Sequence, residues 1–166
     1  MPIQLPDPHI PRLFDDLLSL VGENIRIRII GKREELSEEI NRKIDIVEEN
    51  TKENDKITLT IAINYGGREE IVNAAKQVCQ KVADGEISAD DINEDMLSKH
   101  MYTSFMPDPD FIIRPSGELR LSNFLLWQSA YTEFWYSDIC WPDFSESDLH
   151  QAVLDFQNRN RRFGGV

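Results

Sequence analysis

Apolar residues recur along the chain in two patterns, one with period two and one with helical spacing. Residues 25–30 (IRIRII) alternate and predict a strand that ends at Gly31, and residues 57–63 (ITLTIAI) predict a second strand. Residues 111–113 and 133–136 predict two further short strands. Because segments with helical spacing separate these strands, the order predicts an α/β fold with a mainly parallel sheet flanked by helices. Ligands of such folds bind beyond the carboxyl ends of the strands.

The helical segments are marked by apolar residues three and four positions apart, over residues 13–20, 36–47, 71–82, 123–130 and 149–156. Ser88 with Asp91 and Ser145 with Asp148 have the spacing of capping boxes, and each pair predicts the start of a helix.

Prolines are concentrated at the start of the chain, where Pro2, Pro6, Pro8 and Pro11 are half of the eight in the sequence. Proline removes a backbone donor and breaks helices and central strands. We therefore expect residues 1–12 to form an extended arm and residues 13–166 to form one α/β domain.

Charge and composition narrow the classes of function. The chain has 30 acidic and 18 basic side chains and a net charge of -12, which argues against nucleic acid as a partner. No apolar run is long enough to span a membrane, so we expect a cytoplasmic protein with at most peripheral membrane contact. Cys79 and Cys140 have no metal-ligand or redox spacing, and we expect both thiols to be buried.

Candidate chemistry is concentrated between Asp110 and Glu133. Arg114 ends a predicted strand, Ser116 begins a tight turn, and Arg120 and Ser122 follow in the same loop before the predicted helix at residue 123. Two guanidinium groups, hydroxyl groups and backbone amides at a helix N-terminus are suited to binding a diphosphate. The arginines could equally pair with surface acids, and their spacing alone leaves both readings open.

Three motifs occur in order along the chain. NYGGREEI begins at Asn64, RPSGELRLSNFLLWQSAYTEF begins at Arg114 between DPDF and WPDF, and RRFGG begins at Arg161. Together they resemble the motifs of the cis-prenyltransferases, the undecaprenyl diphosphate synthase family. The resemblance implies an enzyme that condenses isopentenyl diphosphate onto an allylic prenyl diphosphate, with Mg²⁺ as cofactor and a homodimeric assembly.

Matching positions imply roles for individual residues. The resemblance implies that Arg114, Arg120 and Ser122 bind the diphosphate of isopentenyl diphosphate, and we include Ser116 of the same loop. Glu133 matches a Mg²⁺ ligand. Three further predicted site residues lie outside this stretch: Asn64 as a polar active-site residue, and Arg162 with Gly164 in an element that reaches the neighbouring subunit's active site.

The sequence departs from the family pattern in two ways. The family's Asp-Gly-Asn-x-x-Arg motif, which holds the allylic diphosphate and Mg²⁺, does not occur in these 166 residues, and Pro115 stands where threonine is usual. We therefore expect the chain by itself to bind isopentenyl diphosphate but to be inactive. The alternative is a non-catalytic binding or partner subunit of a cis-prenyltransferase complex.

Two other features have simpler interpretations. The sequence DDINE at Asp90 imitates an aspartate-rich Mg²⁺ motif, but we interpret it as a solvated helix cap. The aromatic residues are expected to lie mostly in the core or in a dimer interface; they are Trp127, Tyr131, Phe134, Trp135 and Trp141.

Overall fold

The computed structural model describes residues 9–159, which divide into two compact units at Gly66 and Gly67. The predicted α/β class with parallel strands is confirmed. Within the described residues the strands form two separate parallel pairs, one in each unit, rather than one continuous sheet.

The first unit contains two helices and two strands: α1 (His9–Leu18), β1 (Ile25–Ile30), α2 (Glu38–Thr51) and β2 (Ile57–Ala62). β1 and β2 run parallel, with Ile25 opposite Ile57 and Ile30 opposite Ala62. One apolar cluster holds the unit together, formed by Phe14, Leu17, Ile27, Ile29, Ile40, Ile44, Val47 and Ile63. All eight lie in segments for which the sequence predicted helical spacing or strand alternation.

Helix α1 begins inside the predicted arm. Pro11 and Arg12 lie in its first turn, where proline is tolerated because the first backbone amides of a helix have no partner within it. The earlier arm residues, including Pro2, Pro6 and Pro8, lie outside the described residues.

The outer edge of β1 is closed by side chains of α2. The backbone amide of Ile27 donates to Thr51 Oγ1 at 3.0 Å, and that of Ile29 donates to Glu48 Oε1 at 2.9 Å. Thr51 is fully buried. Two side chains of the helix thus replace the hydrogen bonds that another strand would supply on this side.

The second unit contains α3 (Gly67–Ala83), α4 (Glu94–Ser98), β3 (Phe111–Arg114), β4 (Glu133–Tyr136) and α5 (Glu146–Gln157). β3 and β4 run parallel, with Phe111 opposite Glu133 and Arg114 opposite Tyr136. Helix α5 packs against this pair through the rings of Phe111 and Phe156, whose centroids are 4.8 Å apart.

Both predicted capping boxes are present. Ser88 and Asp91 cap a single 3-10 turn, Ala89–Asp91, which confirms that the DDINE sequence begins as a solvated cap. Ser145 and Asp148 cap α5, and hydrogen bonds from the hydroxyl and the backbone amide of Ser145 lower the pKa of Asp148.

The helix predicted over residues 123–130 is wrong. Ser122, Asn123 and Leu125 have φ angles of 50°, 65° and 45°, which are incompatible with a right-handed helix, and only a short 3-10 helix follows at Gln128–Tyr131. The spacing of the apolar and aromatic residues suggested a helix. That spacing carries no information on the sign of φ, so it could not show the left-handed residues.

The prediction of buried thiols is also wrong, because Cys79 and Cys140 are both exposed. On α3 the buried stripe runs through Ala74 and Val78, and Cys79 lies one residue beyond it. Among the predicted interior aromatics, Trp127, Phe134 and Trp135 are half-buried, but Tyr131 and Trp141 are 78% and 62% exposed. Within residues 9–159, no helix is long and apolar enough to cross a membrane.

Candidate functional site

Arg114 is the last residue of β3, and its side chain meets the loop that follows. Its Nη2 donates to Ser122 Oγ at 3.2 Å. Its Nε is buried and has no hydrogen-bond partner within the described part of the chain. A buried donor of a charged group is costly to leave unsatisfied, so the Arg114 guanidinium has a donor that the described contacts leave unused.

The turn after β3 is anchored to the segment after β4. Ser116 and Gly117 have φ angles of 69° and 66°. The amide of Ser116 donates to the carbonyl of Ile139, and the amide of Gly117 donates to that of Ser137, both at 2.8 Å. A β-carbon on Gly117 would lie 3.2 Å from Asp138 Oδ1, so glycine meets both the backbone and the space requirement. The Ser116 residue itself is exposed.

Arg120 lies on the surface of the same loop. Its side chain is 71% exposed, and its Nη1 is 2.5 Å from Glu118 Oε2. The predicted alternative, pairing with a surface acid, therefore describes Arg120 in this structure. An exposed pair of this kind contributes little to stability, about 0–1 kcal/mol, so it can open readily when a stronger anion binds.

Asn123 joins the loop to the start of α3. The amide of Gly67 donates to its carbonyl oxygen at 2.7 Å, and the amide of Arg68 donates to its Oδ1 at 2.9 Å. Free amides at a helix N-terminus were predicted for residue 123, but the helix that begins here is α3, and Asn123 occupies two of its amides. The spacing between NYGGREEI and RPSGELRLSNF gave no sign of this contact.

Glu70, in the first turn of α3, makes the second contact that sequence reasoning missed. It is 1% exposed and accepts hydrogen bonds from the Tyr102 amide at 2.8 Å and from Gln128 Nε2 at 3.0 Å. Gln128 also donates to Thr103 Oγ1 at 2.8 Å, while its Oε1 is buried without a partner among the described residues. The sequence did contain a signal for this contact, because a glutamate on the apolar face of α3 must find a buried hydrogen-bonding partner.

Glu133, the predicted metal ligand, begins β4 and is paired with Arg159. Arg159 Nη1 lies 2.8 Å from Glu133 Oε2, and both side chains are about one-third exposed. Arg159 also lies near Asp155, whose pKa is lowered chiefly by a hydrogen bond from Trp135 Nε1, then by one from Gln151 and by the charge of Arg159.

The described residues contain no group of three His, Cys, Asp or Glu side chains able to hold a metal ion. Glu133 alone offers one carboxylate. Because Mg²⁺ keeps several waters and is commonly held by one or two carboxylates together with substrate phosphates, this donor set fits Mg²⁺ only in the company of a diphosphate.

Asn64 lies in the first unit, just after β2, with φ 50°. Its Nδ2 donates to the Lys32 carbonyl at 3.0 Å and to Glu35 Oε2 at 3.2 Å, and its own carbonyl accepts from the Lys32 amide at 3.1 Å. Gly31 lies beside it, where a β-carbon would be 2.1 Å from the Ile63 carbonyl oxygen. In this structure Asn64 ties together the loops that follow the two strands. Arg162 and Gly164 lie outside the described residues.

A cavity of about 630 Å³ in the first unit has none of the predicted site residues in its lining. It is lined by both signs of charge, from Arg26, Arg28, Arg42 and Lys52 and from Asp45, Glu48 and Glu49. Because cations and carboxylates are nearly balanced, it favours no particular ligand charge.

Comparison with known proteins relates the chain to prenyltransferases. An isoprenyl transferase of Clostridium perfringens is 56% identical over 152 residues, covering 92% of this chain and 60% of the relative. An isoprenyl transferase of Bacillus anthracis is 44% identical over 164 residues, covering 99% of this chain and 62% of the relative. The chain therefore spans about three-fifths of the length of these curated relatives.

Two solved structures have the same fold. Lavandulyl diphosphate synthase from Lavandula x intermedia, in complex with dimethylallyl diphosphate, matches with a TM-score of 0.89 and 36% identity, over 94% of this chain and 70% of that one. A probable undecaprenyl diphosphate synthase from Campylobacter jejuni matches with a TM-score of 0.83 and 34% identity, over 94% and 71%. The family described as putative undecaprenyl diphosphate synthase matches residues 10–164. With that match over nearly all of its length, the chain belongs to the undecaprenyl diphosphate synthase family of prenyltransferases.

Proposed function

We propose that this chain carries the isopentenyl-diphosphate-binding part of a cis-prenyltransferase, an enzyme that condenses isopentenyl diphosphate onto an allylic prenyl diphosphate. The observation that carries the proposal is the pairing of Arg114 with Ser122 beside a buried, unpartnered Nε. The relatives are isoprenyl transferases, and a structural neighbour binds dimethylallyl diphosphate, which supports prenyl diphosphates as the substrate class.

The proposed role of the loop is to bind and orient the diphosphate. Arg114 offers several N–H donors in a planar fork, and Ser122, which accepts one of them, keeps its own hydroxyl proton for a phosphate oxygen. Arg120 adds a second positive charge once its contact with Glu118 opens. Such cations matter individually here, because a net charge of -12 opposes the approach of any anion.

Glu133 is the proposed Mg²⁺ ligand in this chain. When bound, Mg²⁺ would offset the negative charge of diphosphate oxygens. Because Glu133 is paired with Arg159 in this structure, ligation requires that its carboxylate leave or share that partner. Asn64, Ser116, Arg162 and Gly164 remain proposed site residues, with Arg162 and Gly164 acting in a homodimer.

Binding of isopentenyl diphosphate by the chain tests the proposal. Titration calorimetry should detect binding by the wild type. Arg114→Ala and Arg120→Ala should each weaken it by about 1.5–3 kcal/mol, roughly 10-fold to 150-fold, because each removes a charged hydrogen-bonding partner. Lys99→Ala is the matched control for Arg120→Ala. Lys99 is the residue after α4, is about as exposed as Arg120, and pairs with Asp95 of α4. Equal affinity of all four proteins would overturn the assignment.

Turnover separates the enzyme from the alternative of a binding subunit. Because the Asp-Gly-Asn-x-x-Arg motif does not occur in these 166 residues, we expect the chain alone, given Mg²⁺, isopentenyl diphosphate and farnesyl diphosphate, to form no longer product. Appreciable elongation would show that the motif is not needed.

A further inference from the structure

The loop that carries Ser122 has an unusual backbone. Ser122, Asn123 and Leu125 all have positive φ, although none of them is glycine. Left-handed conformations are sterically disfavoured for residues with a side chain, and a run of them persists only where surrounding contacts hold it. The contacts that hold this loop therefore decide where the Ser122 hydroxyl lies.

Asn123, the residue after Ser122, supplies one of these contacts. Both of its oxygens are engaged by the first turn of α3, since its carbonyl accepts from the Gly67 amide at 2.7 Å and its Oδ1 accepts from the Arg68 amide at 2.9 Å. The first amides of a helix have no partner within the helix, so these hydrogen bonds satisfy the helix and fix the loop at once.

Gly67 makes this close approach sterically feasible. A β-carbon at this position would lie 3.0 Å from the backbone nitrogen of Leu126, 3.0 Å from Leu126 Cγ and 3.2 Å from the Asn123 carbonyl oxygen. The two backbone atoms cannot move without displacing the loop. Gly67 has no positive φ, so close packing and not backbone conformation is its requirement.

The same helix holds the far end of the segment. Glu70, in the first turn of α3, accepts from Gln128 Nε2 at 3.0 Å, and this pair is buried. Segment 122–128 is thus fixed near both ends by α3, through Asn123 at one end and Gln128 at the other.

We propose that Asn123 is a positioning residue for the bound diphosphate: by holding the loop on α3, it keeps the Ser122 hydroxyl beside Arg114. The inference rests on the proposed function. It adds that the geometry of the diphosphate site depends on Asn123, which need not touch the ligand, and on Gly67, which lets α3 approach the loop.

Three variants of the full chain test the inference. Asn123→Gly keeps a residue that tolerates positive φ but removes Oδ1, so backbone strain is not the cause of any effect. Asn123→Asp keeps an acceptor at the helix N-terminus, where a carboxylate is favoured. Gly67→Ala pushes the loop from α3 without changing a hydrogen-bonding side chain. Gly22→Ala is the matched control, because a β-carbon at Gly22 would meet nothing within 4 Å and its φ is not positive.

The readouts are the affinity for isopentenyl diphosphate by calorimetry and the exchange of the Arg68 amide hydrogen by NMR. Asn123→Gly should speed Arg68 exchange and weaken binding by about 3-fold to 10-fold, the equivalent of one hydrogen bond. Gly67→Ala should weaken binding at least as much, and Gly22→Ala should change neither readout. Asn123→Asp should keep the Arg68 amide protected. At low salt its added negative charge should weaken binding of the diphosphate. In about 0.5 M salt, where the Debye length is about 4 Å, its affinity should equal that of the wild type in the same salt.

The outcomes separate this inference from the proposed function. If the wild type binds and Asn123→Gly binds equally well, the inference is wrong and the proposed function stands. Unchanged Arg68 exchange in Asn123→Gly would show that the contact does not hold the loop. A wild type that does not bind isopentenyl diphosphate would overturn the proposed function and this inference with it.

Discussion

Asn64, a predicted site residue, also serves the local fold through its contact with Glu35. Glu35 pairs with Lys32 and accepts a hydrogen bond from Asn64 Nδ2 at 3.2 Å. The hydrogen bond from Lys32 is the largest cause of a lowered pKa at Glu35, followed by that from Asn64 and by the Lys32 charge. The carboxylate form is thus favoured in the folded protein.

This shift gives stability a dependence on acid pH. A group whose pKa is lower in the folded state stabilises the fold above its unfolded value of 4.5 and loses that contribution as pH falls through the folded value. The stability difference between wild type and Glu35→Gln should therefore shrink between about pH 5.5 and pH 3, measured by urea unfolding at each pH. Lys32→Met removes the largest cause of the lowered pKa of Glu35. Its free energy of unfolding should therefore fall less than that of the wild type over the same acid range. A difference that stays constant down to pH 3 would contradict the prediction.

The last turn of helix α2 closes the edge of strand β1, a role that depends on the position of the whole helix. Thr51 at its C-terminal end donates to the Val47 carbonyl at 2.8 Å and accepts from the Ile27 amide at 3.0 Å. The last turn of the helix thereby closes the edge of β1. Without that hydroxyl, a buried strand amide would lack its acceptor.

Thr51→Val should therefore destabilise the first unit. The substitution keeps side-chain size but leaves the Ile27 amide unsatisfied, which costs about 1–3 kcal/mol in the free energy of unfolding. Urea unfolding measures this cost, and hydrogen exchange should show a less protected Ile27 amide. Thr51→Ser is the control because it retains the hydroxyl and should keep Ile27 protected. If Thr51→Val is as stable as the wild type, the edge of β1 does not depend on this contact.

At the scale of the whole molecule, exposed aromatic residues are the feature that favours association. Tyr131 and Trp141 are 78% and 62% exposed, and both lie in the segment that the sequence assigned to the core or to a dimer interface. Burying apolar surface is favourable by roughly 25 cal/mol per Å² before the costs of association.

We expect the chain to form a homodimer at micromolar concentration. Sedimentation should report a mass of about twice 19.2 kDa. Tyr131→Ser and Trp141→Ser should shift the equilibrium toward the monomer because they remove apolar contact area. Glu133→Ala should leave the mass unchanged, since Glu133 is assigned to metal binding. A wild-type monomer would remove the basis for placing Arg162 at a neighbouring subunit's site.

The sequence by itself determined the class of fold, the place of the four strands and the loop that carries the candidate site. This worked for β1 and α2 because alternation and helical spacing match buried side chains such as Ile27 and Ile44. It also worked for α5 because the capping residues Ser145 and Asp148 act within a few residues of each other. The motif beginning at Arg114 also identified the family through local sequence alone.

Only the tertiary structure decided how that loop is held. Asn123 accepts from the Arg68 amide, 55 residues away in the chain, and Gly67 lies against Asn123 and Leu126. These long-range contacts accompany the positive φ angles of Ser122 and Asn123. Hydrophobic periodicity indicates which face of an element is apolar. It does not predict the sign of a φ angle or the hydrogen-bond partner of a polar group. For that reason the sequence predicted a helix at residue 123, where the structure has a strained loop that is bound to the start of α3.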